Sequence, residues 1–225
     1  MKLPNLSQGL AVAALLGANI SLNAASALLA AGANVDVSTA YESNVGTQLA
    51  YLEDTRQQSP DKLFKATLET WVYDNHPSNP WGLTAITIEY RISNLPDVTT
   101  GERAIWGMGI PLLESVKTTG LYVGFRATGT ETEIPAIATL DTEGLTIGVA
   151  WLPDQIAAGE TSMRLVVHTP FTDYKKQPHV VGVIDGGVEN FKTLAGFGII
   201  PEPSTYAALF ALGLAGFAAY RRVRD

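Results

Sequence analysis

The chain has 225 residues, 15 Lys and Arg against 22 Asp and Glu, and no cysteine. Without a thiol it is neither a disulfide-stapled mini-protein, nor a thiol enzyme, nor a Cys-ligated zinc protein, and its acidic balance argues against a nucleic-acid partner, whose phosphates demand a basic face. Charged residues make up only 16% of the chain, against about 25% in an ordinary domain, and such a mean hides unlike segments.

The first segment is uncharged. After Lys2, no charged residue occurs from Leu3 through Val35; Gly9 to Ala18 is an apolar run, and the more polar Asn19 to Asn23 comes after it. Ala25, Ser26 and Ala27 then form a small-x-small triplet, the side chains a signal peptidase accepts beside its cut. These three parts predict a signal peptide over 1–27 that engages the secretion machinery and is removed after Ala27. Ala31, Gly32 and Ala33 offer a second site of the same kind. The apolar run is half the roughly 20 residues that a membrane span needs, which favours cleavage over anchoring.

Residues 28–198 read as one exported domain. Positions 34–198 hold 11 basic and 20 acidic residues, a net of −9, which is the composition of a soluble domain with an acidic surface. Residues 64–74 alternate, with Lys65, Thr67 and Glu69 opposite Phe64, Ala66, Leu68 and Val72. Residues 83–92 set Ile86, Ile88, Tyr90 and Ile92 against Thr87, Glu89 and Arg91. Further strands are expected over 35–39, 104–110, 121–127, 136–140, 145–151, 163–169, 180–184 and 188–194, with a possible helical turn around 48–57. Turn chemistry separates them, notably Asn75 to Pro80, Asn94 to Asp97, and Asp185-Gly186-Gly187. About ten short strands predict an all-β fold, a β-sandwich of jelly-roll or immunoglobulin-like kind. The domain is long enough to bury a core without disulfides.

Its chemistry is sparse. His76, His168 and His179 have no ligand spacing, no G-x-S-x-G elbow occurs, and neither a catalytic set nor a cofactor is implied. Glu131, Glu133, Asp141 and Glu143 cluster in sequence and form a weak candidate Ca²⁺ set, or carboxylates for a glycan hydrolase. Among the aromatic residues Trp71, Trp81, Trp106, Trp151, Tyr73, Tyr90 and Tyr122, Trp81 alone falls in a Pro-bounded loop, where an exposed ring can stack on a sugar.

The last segment, 199–225, has three parts. Pro201-Glu202-Pro203 is held extended by its prolines. Residues 204–220 are charge-free, rich in Ala and Gly, and as a helix reach about 25 Å, the low end of a membrane span. Arg221, Arg222 and Arg224 come next as a stop-transfer cluster, interrupted by Val223 and ended by Asp225.

In that order these parts resemble the PEP-CTERM sorting signal. The resemblance implies a bacterial protein that passes the inner membrane, is held there transiently by its C-terminal helix, and meets an exosortase that recognises Pro201, Glu202 and Pro203 and frees or transfers the ectodomain. The stretch from Val183 to Val188, with a strand and then the sorting signal behind it, is similar to the last hairpin of β-sandwich ectodomains in other proteins with this signal. The resulting expectation is a non-enzymatic cell-surface or extracellular-matrix protein, structural or adhesive. The alternatives are a module that binds exopolysaccharide and, less favoured, a secreted glycan hydrolase.

Overall fold

The computed structural model describes residues 26–57, 65–96, 104–112, 120–129, 131–151, 153–184 and 193–200. Twelve strands occur among them: β1 (Ala27–Ala30), β2 (Asn34–Asp36), β3 (Thr47–Gln57), β4 (Lys65–Asp74), β5 (Thr87–Leu95), β6 (Gly107–Pro111), β7 (Gly120–Arg126), β8 (Ile137–Leu140), β9 (Thr146–Ala150), β10 (Arg164–His168), β11 (Asp173–Ile184) and β12 (Leu194–Ile200). They form two six-stranded sheets, in the orders β1-β7-β10-β5-β4-β3 and β12-β11-β6-β9-β8-β2, and every strand pair is antiparallel. The all-β expectation therefore holds, and no helix occurs among the described residues.

Alternation decides which face of each strand turns inward. Ile88, Tyr90 and Ile92 of β5 pair with Val167, Leu165 and, on β4, Leu68 and Val72, all directed into the core. The second sheet answers with Met108, Ile110, Leu140, Ile147, Val149, Val181, Val183 and Leu194. Val123 of β7, opposite Val167, completes the first sheet's inner layer. The hydroxyl of core residue Tyr90 crosses the sandwich and donates to the Phe197 carbonyl of β12, 3.0 Å away.

Several elements differ from the sequence reading, among them β11, which starts at Asp173 and not at 180. Residues 48–57 are not a helical turn but most of β3, an 11-residue strand paired along nearly its whole length with β4. Residues 194–200 are the strand β12, so the last strand runs past the expected domain end at 198. The expected strand over 83–92 starts at Thr87, because residues 75–86 form a loop. The Asp185-Gly186-Gly187 turn lies outside the described residues.

The sheet edges meet. Asp54 of β3 accepts a 2.7 Å hydrogen bond from the backbone N–H of Ala195 in β12, so a side chain from one sheet occupies the free edge of the other. A different connection passes over the outer face of the first sheet. Backbone bonds tie Ala40 and Glu42 to Phe125 of β7, yet β3 begins at Thr47 on the sheet's opposite side, so residues 42–46 form a strap across it.

Candidate functional site

That strap and the 75–86 loop bury polar side chains on a face that alternation marks as polar. Glu89, in the middle of β5, is fully buried. Arg126 of β7 donates to both its carboxylate oxygens, from Nε at 2.9 Å and from Nη2, and Arg164 of β10 donates at 3.0 Å. Both arginines also reach the Tyr73 hydroxyl, and the Arg164 guanidinium lies 3.6 Å from the Trp71 ring centre. On the other side of Trp71, Tyr51 packs at 5.3 Å and donates to Glu69, which also binds Arg91. The face of Trp71 is therefore filled from within.

Nearer the strap, three buried titratable groups meet. Glu42 Oε2 lies 3.4 Å from His168 Nε2, while His168 Nδ1 is 2.8 Å from the Thr87 hydroxyl. Ser78 Oγ and the Asn44 N–H donate to the other Glu42 oxygen. Burial works to raise the Glu42 carboxyl, but the bonds from His168, Ser78 and Asn44 outweigh it and hold it below the usual carboxylate range. The His76 ring sits edge-on to His168 with centres 4.7 Å apart. Neither of its nitrogens finds a hydrogen-bond partner of normal geometry among the described residues. Burial first, and then the neighbouring His168, pushes His76 below its ordinary value. Two of the three histidines, distant in sequence, are thus brought together; His179 lies apart on β11, against Thr193. Among the described residues no three His, Asp or Glu are arranged to hold a metal ion.

The loop above this cluster holds Trp81 in place. Asn79 is buried; its side-chain oxygen accepts from the Trp81 N–H at 3.0 Å, and its amide donates to the carbonyls of Ala85 and Ile86 at 3.2 Å. Gly82 has φ +106°, a left-handed conformation open to glycine, and it turns the chain directly after the tryptophan. Trp81 is 48% exposed and stands edge-on to Tyr122 at 6.0 Å. Of the other aromatic candidates, Trp71, Trp151, Tyr73 and Tyr90 are buried, and Trp106 is exposed beside Ile184 of the second sheet.

The four carboxylates of the candidate Ca²⁺ set are not gathered. Glu131 closes a turn through bonds from Thr128 and Gly129 and pairs with Arg91 at 3.1 Å. Burial opposes ionisation there, but the Thr128 bonds, with Arg91 behind them, bring the carboxyl down to about 2. Asp141 instead accepts from the Leu145 N–H in the β8–β9 hairpin, whose turn also carries the exposed Glu143. Glu133 lines a shallow cleft of about 230 Å³ with Asp154. Its carboxyl is raised by burial and then by the charge of Glu160. Glu42, Glu89, Arg126 and Arg164 had no signal as a group, because only the strap and the sheet register unite them.

Ala27 is the first residue of β1, and Leu29, two residues on, is fully buried. Ala25, Pro201, Glu202, Pro203, Arg221, Arg222 and Arg224 lie outside the described residues. Residues 200–222 match the family model described as the PEP-CTERM protein-sorting motif. The chain carries that sorting motif. It is accordingly an exported protein, trafficked by way of the membrane and targeted to an exosortase. No curated protein and no solved structure is significantly similar to the chain.

Proposed function

We propose that this PEP-CTERM protein delivers its two-sheet domain to the cell surface or the extracellular matrix, where it has a structural or adhesive, non-enzymatic role. One observation carries the reading: β12 ends at Ile200, where the sorting motif begins. A cut within Pro201 to Pro203 therefore leaves every strand residue among the described ones on the sandwich side. Such processing would involve the secretion machinery, then an exosortase at the inner membrane, and finally surface or matrix exopolysaccharide. Intact-mass analysis of surface protein from its own host should find a chain without residues 1–27 and without Arg221 to Arg224. Surface protein that keeps the arginine tail would overturn the reading.

A second reading, glycan binding, draws on Trp81. A half-exposed indole on a loop braced by Asn79 is preorganised to stack on a sugar ring, and Tyr122 extends the apolar surface. Trp81→Ala should abolish retention on the host's exopolysaccharide while leaving the thermal midpoint within a degree or two, by the usual tolerance of exposed sites. Unchanged retention would remove this reading.

A further inference from the structure

The strand register places several loops at the end of the sandwich from which the sorting signal departs. Ile200 of β12 pairs with Asp173, the first residue of β11. The 169–172 connection leads there from His168, which pairs with Thr87 at the start of β5 and with Tyr122 near the start of β7. The 75–86 loop is bonded to that connection, the Ile86 N–H donating to the Phe171 carbonyl and the Thr169 N–H to the Ile86 carbonyl. The strap arrives at the same end, since Thr47 pairs with Asp74.

These segments differ from the rest of the domain in composition. Residues 43–46, 75–86 and 169–172 contain no Asp, Glu, Lys or Arg, although 31 such residues fall between 34 and 198. They present exposed Val45, Trp81 and Leu83, and Leu28 of β1, opposite Tyr122, adds a fourth apolar side chain. Leu83 is 57% exposed. Among the described residues, charge at this end belongs to Asp74 and Asp173, at the strand ends that flank these loops, and to Asp141 and Glu143 of the β8–β9 hairpin, toward the other side of the second sheet from β12.

The chain itself limits how far this surface lies from lipid. Only Pro201, Glu202 and Pro203 separate Ile200 from the charge-free stretch 204–220, a reach of at most about 14 Å fully extended. We infer that, while the sorting signal is inserted, the charge-free loops 43–46, 75–86 and 169–172 at this end of the sandwich rest in the headgroup layer of the same bilayer, with Trp81 and Leu83 leading. This rests on the reading of 204–220 as a membrane span. Tryptophan favours that layer, where its ring is half desolvated and its N–H stays wet. Four apolar side chains hold weakly on their own, as a single acyl chain does. The short tether makes the contact intramolecular and raises its effective concentration. Removal of the signal ends that advantage, so the domain lets go of the membrane in the step that releases it, and Trp81 becomes free.

The absence of cysteine makes the test direct. Leu83→Cys and Ile184→Cys each provide one attachment point for an environment-sensitive fluorophore; Ile184 is exposed at the opposite end, where it pairs with Gly107. Protein exported in a host without an exosortase, and so retaining its signal, is reconstituted into phosphatidylethanolamine and phosphatidylglycerol vesicles. Flotation reports the span, and quenching by lipids spin-labelled at headgroup depth reports docking. The expected result is flotation, with quenching at position 83, none at 184, and loss of the quenching at 83 after cleavage behind Ile200. Failure to float overturns the span and the docking with it. Flotation with both positions unquenched overturns the docking alone and leaves the loop to a glycan.

Discussion

Glu89 is a fully buried carboxylate held between two guanidiniums. Glu89→Gln keeps the shape but leaves Arg126 and Arg164 half-buried without their counter-charge, so urea unfolding should show a loss of about 3 kcal/mol. Nearby, buried His76 shapes the acid behaviour. His76 is held below its ordinary 6.5, so the unfolded chain takes up a proton that the folded chain refuses. Stability is then full above about pH 6.5 and falls as the pH drops below it. Glu42, held below its ordinary 4.5, contributes above that value and is lost further down. His76→Phe should abolish the upper decline and spare the lower one in melts taken across the pH range; an unchanged upper decline would assign it to another group. Little of this was legible in the sequence. Alternation correctly placed Thr87, Glu89 and Arg91 on one face, but nothing local says that a strap from residue 42 shuts that face from solvent.

β3 shows why a strand can look helical. Leu49, Leu52 and the charges at 53, 54 and 56 have a spacing that suits a turn of helix, and only the long pairing with β4 settles the strand. β11 misled in another way: Lys175 and Lys176 sit in a half that pairs only with β12 and stays wet, so its start lacks an apolar rhythm. β4, β5, β7, β8, β9 and β10, each with one face on the core, were readable to within a few residues. The strap depends on Gly46, where a Cβ would overlap the Asp74 carbonyl and crowd the His76 backbone. Gly46→Ala should therefore cost about 2 kcal/mol or more. Gly109→Ala, on β6 with open space around it, should be neutral within about 0.5 kcal/mol. Equal losses in denaturant melts would remove the strap from the account of stability.

For the whole molecule, the low charge fraction of the chain divides into two charge-poor ends and an acidic, two-sheet middle. The fold also separates the two candidate signal cuts. Cleavage after Ala27 leaves Leu28, Leu29 and Ala30 paired with β7, whereas cleavage after Ala33 deletes β1 and the buried Leu29. N-terminal sequencing of the mature protein should begin at Leu28; a start at Asn34 would mean a five-stranded first sheet with a void of Leu size, a loss of about 3 kcal/mol.

The antiparallel seating of β12 also sets how the domain bears load. Its hydrogen bonds to β11 run across the strand, from Ile200 opposite Asp173 to Gly196 opposite Gln177, with Leu194 opposite Val181 beyond an irregularity. A pull on Ile200 along the strand axis, as from an anchor at the cell and a grip at the far end, shears these bonds together instead of opening them one after another. The Asp54 bond to Ala195 and the Tyr90 bond to Phe197 resist the same displacement. The chain therefore leaves the sandwich through a strand loaded in shear, with two side-chain bonds from the first sheet added to its ladder.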